Sequence, residues 1–202
     1  MYIVIEGIDF SGKSSLAKMI AKEIAARLTM EPFCETEESK AFKAKLCSNT
    51  MTKDEEIQGY GLARIETFKN VIVPCKEQGQ HVISDRNFIT SMVYQSDEEF
   101  RPSDIFDFNR KLLKSQGYEI LPDLIIFIDI THDEFLTRLE DAQTNGREVN
   151  AKDLMFKDYN VFQSYRSTYF RVLDYLSDNF NVPIKVVTSK ENTFEHFKDF
   201  IE

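Results

Sequence analysis

Residues 7–15, which read GIDFSGKSS, carry side-chain types that bind phosphate. Gly7 and Gly12 flank four residues and are followed by Lys13 and Ser14, which is the spacing of a phosphate-binding loop (P-loop). Glycines permit the backbone conformations in which successive N–H groups converge on an anion. A lysine brings positive charge to the outer phosphates, and a serine hydroxyl can bind Mg²⁺. We expect the phosphate cradle to comprise Gly7, Ser11, Gly12, Lys13, Ser14 and Ser15.

The segments on either side of this loop fit the same interpretation. Residues 2–5 form an apolar run before it, and apolar residues recur at helical spacing across residues 13–28 after it. These apolar residues are Leu16, Met19, Ile20 and Ile24. A strand, a glycine-rich loop and a helix in this order present the positive end of the helix to an anion. An ordinary turn before a helix is the alternative, and the context favours the phosphate cradle.

A second candidate motif lies in residues 83–95, ISDRNFITSMVYQ. Asp85 and Arg86 follow the apolar run at residues 81–84, which places them at the carboxyl end of a predicted strand. In a parallel sheet that end faces the P-loop. There, Asp85 can hold a metal ion together with Ser14, and Arg86 can bind a second phosphate through two parallel hydrogen bonds. A surface ion pair is the alternative interpretation.

Length and composition limit the classes of protein that can hold these motifs. The 202 residues predict a single domain, residues 1–202, that buries a core without cross-links. A formal charge of −9 argues against an extended contact with nucleic acid but is compatible with a mononucleotide. No apolar stretch reaches membrane-spanning length, and the first residues resemble a strand rather than a signal peptide. The scattered cysteines, Cys34, Cys47 and Cys75, indicate reduced thiols and a cytoplasmic location.

Short apolar runs alternate with longer helical patterns along the chain. The runs predict strands at residues 2–6, 81–84, 124–130 and 184–187. The run LIIFIDI at residues 124–130 is apolar almost throughout, as expected for a parallel strand covered on both faces. Capping-box pairs mark helix starts at Thr52 with Glu55 and at Thr131 with Glu134. This order predicts a three-layer α/β fold with a parallel sheet flanked by helices, and a ligand site beyond the carboxyl ends of the strands.

Several motifs together resemble the thymidylate kinases. The resemblance begins with the P-loop and continues through MEP at residues 30–32, which is similar to the family's Arg-Glu-Pro. It is most specific at residues 60–95, where an aromatic residue, an arginine four positions later, a proline, Asp-Arg and Ser-x-x-Tyr-Gln follow in the family's order. PDLIIFIDI at residues 122–130 and FQSYRSTY at residues 162–169 extend the resemblance over most of the chain. It implies a P-loop kinase fold with a short lid, and transfer of the γ-phosphoryl of ATP, with Mg²⁺, to a deoxynucleoside monophosphate.

The resemblance also implies how the acceptor base is bound. Tyr60 matches the aromatic residue that stacks on the base, and Arg64 matches the arginine that binds a base carbonyl. Residues four apart lie on one face of a helix, so this pair can address one planar ligand. From the residue types alone, core packing for Tyr60 and a solvated position for Arg64 are the alternatives.

The acceptor's phosphate and sugar have matching residues as well. Arg86 matches the arginine that holds the acceptor phosphate, and Asp9 matches an acid between the two substrates. Ser91 and Tyr94 match residues that contact base and sugar, the tyrosine crowding a ribose 2′-hydroxyl. Because both reactants are anionic, we expect positioned cations such as Lys13 and Arg86 to be the catalysts, and no nucleophilic side chain is required.

A further cation is expected from a lid at about residues 142–152. One subgroup of the family carries an arginine within the P-loop, and the other supplies it from the lid; Phe10 occupies the loop position here. Arg147 is therefore the candidate, in a glycine-containing break between two helical patterns, with Arg138 as the alternative. Arg166 also matches a family position and is either functional or structural.

The chain departs from the family pattern where an acceptor is recognised. Met30 replaces the arginine of Arg-Glu-Pro, residues 33–34 replace two glycines, and KDLM at residues 152–155 replaces the lid's usual Asp-Arg-x-Glu. Thymidylate is thus the leading acceptor, with deoxyuridylate or a 5-substituted relative as alternatives. A deoxynucleoside kinase and a non-catalytic nucleotide-binding regulator are the other candidates. The resemblance further implies a homodimer, and we expect adenine near residues 188–192.

Overall fold

The computed structural model describes residues 1–33, 35–48, 50–147, 149–188, 191 and 194–201, without the side chain of Asp199. Its centre is a parallel five-stranded sheet in the order β2-β3-β1-β4-β5. The strands are β1 (Tyr2–Glu6), β2 (Arg27–Met30), β3 (Val82–Asp85), β4 (Leu124–Asp129) and β5 (Ile184–Thr188). The predicted α/β class with a parallel sheet is confirmed.

Helices connect the strands and flank the sheet. They are α1 (Lys13–Glu23), α2 (Glu37–Cys47), α3 (Lys53–Thr67), α4 (Val73–Glu77), α5 (Phe88–Tyr94), α6 (Pro102–Ser115), α7 (His132–Thr144), α8 (Ala151–Met155), α9 (Tyr159–Phe180) and α10 (Lys198–Ile201). The predicted capping boxes start α3 and α7. In the part of the chain that the structure describes, no helix has the length and apolar character needed to span a membrane.

The core lies on the central strands. All five residues of β1 and the first five of β4 are buried, as the near-continuous apolar runs predicted. Helix α1 covers the sheet with Leu16, Ala17 and Ile20, which are spaced along one helical face. Burial of both faces fixes the register of the central strands, and this register sets where their carboxyl ends stop.

The prediction of one helix across residues 13–28 is wrong at its end. Helix α1 stops at Glu23, Ala25 adopts a left-handed conformation with φ of 50°, and the Ala26 N–H donates to the Ala21 carbonyl at 2.8 Å. This is a helix-ending turn whose left-handed position usually holds glycine, so alanine gave no stop signal. The strand β2 that follows was missed because it is a short edge strand with two exposed residues and no apolar run.

A wide π-type turn at Phe68–Ile72 joins α3 to α4. The Val73 N–H donates to the carbonyl of Phe68, five residues earlier. Pro74 explains the widening, because it has no N–H to donate and its ring would clash with the carbonyl four residues earlier in a regular helix. The two helices thus form one continuous rod with a change of winding at its middle.

Gly7 ends β1 at a position with no room for a side chain. Its φ is +150°, and a Cβ would lie 2.7 Å from the Ile128 carbonyl oxygen and 2.8 Å from Ser11 Oγ. Gly79, with φ of +68° and open space around it, is a matched control for backbone strain alone.

We expect Gly79→Ala to lower the free energy of unfolding by about 1–2 kcal/mol, the usual cost of the left-handed conformation. Gly7→Ala should lose about 1–3 kcal/mol more, because the new methyl group meets backbone that cannot move freely. Urea denaturation of the two variants measures the difference. Equal losses would show that the close approach at Gly7 has no energetic weight.

Candidate active site

The P-loop runs from the end of β1 to the start of α1 and forms one wall of a cavity of about 290 Å³. Gly12, with φ of 100°, precedes Lys13, the first residue of α1. The Lys13 Nζ donates to the Ile8 carbonyl at 2.8 Å and is almost fully buried. Burial and the nearby Arg86 charge lower the pKa of Lys13 to about 8. Ser14 and Ser15 line the same cavity, hereafter the P-loop pocket.

The predicted metal ligands meet on the edge of this pocket. The Ser14 hydroxyl donates to Asp85 Oδ2 at 2.5 Å, which joins the start of α1 to the end of β3. A hydroxyl and a carboxylate are hard oxygen ligands of the kind that Mg²⁺ uses alongside phosphate oxygens. Among the described residues, no group of three His, Cys, Asp or Glu side chains forms a metal cage. The chemistry of this pair therefore fits a metal ion that shares its ligands with a bound nucleotide.

Asp9 and Arg86 form an ion pair beside the P-loop pocket. Arg86 follows β3 with a left-handed φ of 73°, and its backbone N–H donates to the Ile5 carbonyl at 3.0 Å. Its Nη1 donates to Thr90 Oγ1 at 3.1 Å, and its guanidinium lies 5.7 Å from the Tyr94 ring centroid. Burial acts to raise the pKa of Asp9, but the positive charges of Arg86 and Lys13 outweigh it and the pKa lies below its usual value. Both partners are therefore charged.

Glu6 stabilises the segment next to Arg86 and was not among the site residues predicted from the sequence. Its carboxylate is fully buried and accepts hydrogen bonds from the Asn87 N–H at 2.9 Å, the Thr90 N–H at 3.2 Å and the Tyr169 hydroxyl at 3.2 Å. Burial raises its pKa, although the charge of Arg86 opposes the shift. Glu6 thereby fixes the turn that carries Arg86. The available signal was an acid at the end of an otherwise apolar strand.

A second cavity, of about 180 Å³, adjoins the P-loop pocket and is hereafter the acceptor pocket. The two cavities share four lining residues: Asp9, Glu31, Pro32 and Arg86. The other residues that line the acceptor pocket are Tyr60, Asn87, Thr90, Ser91, Tyr94, Gln95, Asn150, Lys152 and Asp153. The structure thus brings five predicted site residues, Asp9, Tyr60, Arg86, Ser91 and Tyr94, to one cavity.

Tyr60 and Tyr94 occupy different walls of the acceptor pocket. Tyr60 lies on α3 and packs edge-on against Phe42 at 5.3 Å between ring centroids, and burial raises its pKa to about 12. The Tyr94 hydroxyl donates to Asp9 Oδ2 at 3.3 Å, and its ring packs against Tyr165. Both rings are therefore held by other aromatic side chains.

Arg64 lies behind the acceptor pocket rather than on its surface. Its side chain is 1% exposed, and it donates to Glu31 through Nε at 3.0 Å and through Nη2 at 2.5 Å. It also donates to Ser91 Oγ at 3.2 Å and to the side chain of Asn109. The described lining of the pocket includes Glu31 and Ser91 but not Arg64. A solvated Arg64 is therefore wrong, and its contact with a base stays a prediction.

Gln95 is a lining residue for which the sequence offered a motif match but no role. It lies at the end of α5 and is 2% exposed. Its Oε1 has no hydrogen-bond partner among the described residues. A buried carbonyl oxygen without a partner is costly to the free protein, so such an atom next to a cavity indicates a ligand contact.

The predicted lid segment reaches both cavities. Arg147 lines the P-loop pocket, and its guanidinium lies over the Phe10 ring at 4.8 Å from the centroid. Asn150, Lys152 and Asp153 line the acceptor pocket instead. Residue 148 lies outside the described residues. A closing motion of this segment stays a prediction.

Two further arginines named from the sequence, Arg138 and Arg166, bind other groups of the protein. Arg138 on α7 donates through Nη1 to the carbonyl oxygens of Phe10 at 2.9 Å and Ser11 at 2.7 Å. Arg166 on α9 pairs with Asp129 at the end of β4, with Nε 2.6 Å from Oδ1. The expected adenine site at residues 188–192 includes residues 189, 190 and 192, which lie outside the described residues.

A family model described as thymidylate kinase matches residues 5–195. The chain belongs to the thymidylate kinase family. Members of this family are ATP-dependent nucleoside monophosphate kinases that phosphorylate dTMP, so the predicted family and enzyme class are confirmed.

Individual relatives agree with this membership. A probable thymidylate kinase of Methanococcus maripaludis is 30% identical over 142 residues, which cover 70% of this chain and 66% of that protein. A thymidylate kinase of Leptospira borgpetersenii is 28% identical over 178 residues, which cover 86% of this chain and 81% of that protein. The crystal structure of a thymidylate kinase from Ehrlichia chaffeensis shares the fold, with a TM-score of 0.68 and 18% identity over 100% of this chain and 98% of that one.

The lowered pKa of Lys13 predicts how ATP binding depends on pH. The ammonium must be protonated to attract phosphate, so the affinity for ATP should fall above about pH 8, approaching tenfold per pH unit. Lys13→Arg keeps its charge at every pH in this range, so its binding, although weaker, should stay flat there. Calorimetric titration with ATP from pH 7 upward measures both. A flat profile for the unmodified protein would contradict the lowered pKa.

Proposed function

We propose that this thymidylate kinase family member transfers the γ-phosphoryl of ATP to dTMP and releases dTDP. The observation that carries the proposal is the pair of adjoining cavities with a shared wall that includes Asp9 and Arg86. The P-loop lines one cavity, and Tyr60, Tyr94 and Gln95 line the other. A donor phosphate in one cavity and an acceptor phosphate in the other would approach each other at these shared residues.

The chemistry to be catalysed is the approach of two anions and the charge that develops on the transferred phosphoryl group. Lys13 and Arg147, which line the P-loop pocket, would hold the donor phosphates. Arg86 faces both cavities and would bind the acceptor phosphate, exchanging its contact with Asp9 for phosphate oxygens. Ser14 and Asp85 would hold Mg²⁺, which neutralises phosphate charge when bound.

Recognition of the base follows from the remaining walls of the acceptor pocket. Tyr60 offers a ring for stacking, and Ser91, oriented by Arg64, offers a hydroxyl. The unpartnered Oε1 of Gln95 is a hydrogen-bond acceptor suited to the N3–H of thymine or uracil. Cytosine has no hydrogen at N3, so this group would favour thymidylate and deoxyuridylate over deoxycytidylate. Tyr94, bonded to Asp9, would lie at the sugar.

The competing functions fit the site less well. A deoxynucleoside kinase needs a base that takes a proton from a neutral hydroxyl, whereas Asp9 is paired with Arg86 and its pKa is lowered. A nucleotide-binding regulator has no use for a second cavity with a cation at the shared wall. Arg86 in that position is required when the acceptor already carries a phosphate.

Three further features belong to the proposal. A single catalytic domain with a lid at about residues 142–152 is supported by the contacts of this segment with both cavities. A homodimer is supported by the 61% exposed Leu62 beside an apolar cavity of about 330 Å³ between α2 and α3. A cytoplasmic location is supported by the free thiols of Cys47 and Cys75.

A turnover screen tests the proposed reaction. ATP is offered with each deoxy- and ribonucleoside monophosphate and with thymidine, and diphosphate formation is followed by chromatography. We expect dTMP to be the best acceptor, Lys13→Ala to abolish turnover, and Arg86→Ala chiefly to raise the KM for dTMP by about tenfold or more. Phosphorylation of thymidine but not dTMP would identify a nucleoside kinase. ATP binding without any product would identify a regulator.

A Gln95→Leu variant tests base recognition. It keeps the side-chain size but removes the acceptor, so the KM for dTMP should rise by about tenfold and the preference for dTMP over dCMP should shrink. Gln116→Leu, at an exposed position on the end of α6, is the matched control and should change neither value. Steady-state kinetics with both acceptors measure the effect. An unchanged preference would remove Gln95 from the base site.

A further inference from the structure

Phe10 lies in the P-loop, between Gly7 and Gly12. Its backbone is left-handed, with φ of 64°, which is uncommon for an aromatic residue. Its ring and the Arg147 guanidinium both line the P-loop pocket, with Arg147 Cζ 4.8 Å from the ring centroid. The electron-rich face of a benzene ring attracts a guanidinium at this distance.

The Phe10 ring is a fixed platform. Phe135 on α7 packs against it edge-on, with 5.8 Å between centroids and an interplanar angle of 77°. Arg138, one helical turn further along α7, donates to the Phe10 carbonyl at 2.9 Å. Phe135 and Arg138 lie three residues apart and therefore on one helix face. Helix α7 thus holds both the ring and the backbone of Phe10.

Arg147 is brought to this platform by the end of the same helix. Gly146 adopts a left-handed φ of 71° directly after the last turn of α7, and the Arg147 N–H donates to the Ala142 carbonyl at 2.9 Å. This is the hydrogen bond of a Schellman motif, which fixes the direction of the chain that leaves the helix. Within the described residues, no carboxylate lies within 4.0 Å of the Arg147 guanidinium. Among the contacts of the described residues, the Phe10 ring lies directly against this guanidinium at the pocket.

We propose that Phe10 is a positioning residue whose ring docks the Arg147 guanidinium at the phosphate pocket, so that an aromatic side chain in the P-loop takes over the placement of a cation from outside it. This inference rests on the proposed kinase function. It assigns the catalytic contact to Arg147 and the placement of that contact to Phe10.

Fluorinated phenylalanines at position 10 test the docking. Adding one, two and then three fluorine atoms withdraws electron density from the ring face and leaves its size nearly unchanged. We expect kcat to fall stepwise, by about two- to thirtyfold over the series, because a cation–π contact has this range of strength. The KM for dTMP should stay constant. In an Arg147→Met background, kcat should be lower from the start and should no longer respond to fluorination.

The chain offers a matched control in the pair formed by Arg110 and Phe180. The Arg110 guanidinium lies 5.0 Å from the centroid of the Phe180 ring, and neither residue lines either pocket. The same fluorine series at Phe180 should leave kcat unchanged. A loss of kcat there equal to the loss at Phe10 would overturn the docking role.

A readout independent of activity separates this inference from the proposed function. The Arg147 δ-CH₂ protons should show an upfield ring-current shift by NMR, which Phe10→Leu removes. Normal turnover with kcat indifferent to fluorination would refute the docking and leave the kinase function intact. If no monophosphate is turned over, the kinase function fails, and an absent ring-current shift would refute the docking as well.

Discussion

The ion pair between Asp9 and Arg86 is the contact on which the proposed site depends, because it lies in the wall that the two cavities share. It exists because β1 and β3 are parallel neighbours, with Ile5 opposite Asp85 in the register, so the loops that follow both strands emerge side by side. The Asp9 carboxylate supplies the negative charge beside the Arg86 guanidinium, which is 17% exposed. In the proposed reaction, a phosphate would exchange with that carboxylate and would meet a cation that is already in place.

Buried polar groups hold this arrangement together. Glu6 fixes the turn that carries Arg86. Glu31 accepts hydrogen bonds from Nε and Nη2 of Arg64, and Arg64 also donates to Ser91. Such networks have few alternative arrangements, because each unsatisfied member in a dry interior would be costly. They make the walls of the acceptor pocket stiff. In the predicted lid segment, Lys152 forms an ion pair with Glu56 of α3, with Nζ 3.7 Å from Oε1.

Much of the fold follows from local patterns. The apolar runs identified four of the five strands, and the P-loop spacing identified the loop between β1 and α1. The end of α1 was misplaced because an alanine takes the left-handed position that usually holds glycine, and β2 was missed because it is a short edge strand without an apolar run. The pairing of Arg64 with Glu31, and the support that Glu6 gives, depend on contacts between residues far apart in the chain. No spacing rule in a single sequence reports such contacts.

The π-type turn at Phe68–Ile72 has a consequence for the evolution of chain length. It accommodates one residue more per turn than a regular helix, between the face of α3 that bears Tyr60 and the segment of α4 that bears the buried Cys75. Because the wide turn absorbs this extra residue, removing one residue there would restore regular winding with little rotation of the flanking segments, and the Pro74 ring would then meet the carbonyl four residues earlier. A lineage that shortens this stretch must therefore compensate for Pro74 at the same time. The wide turn therefore adds one residue between the segment that bears Tyr60 and the segment that bears Cys75, while both segments remain helical.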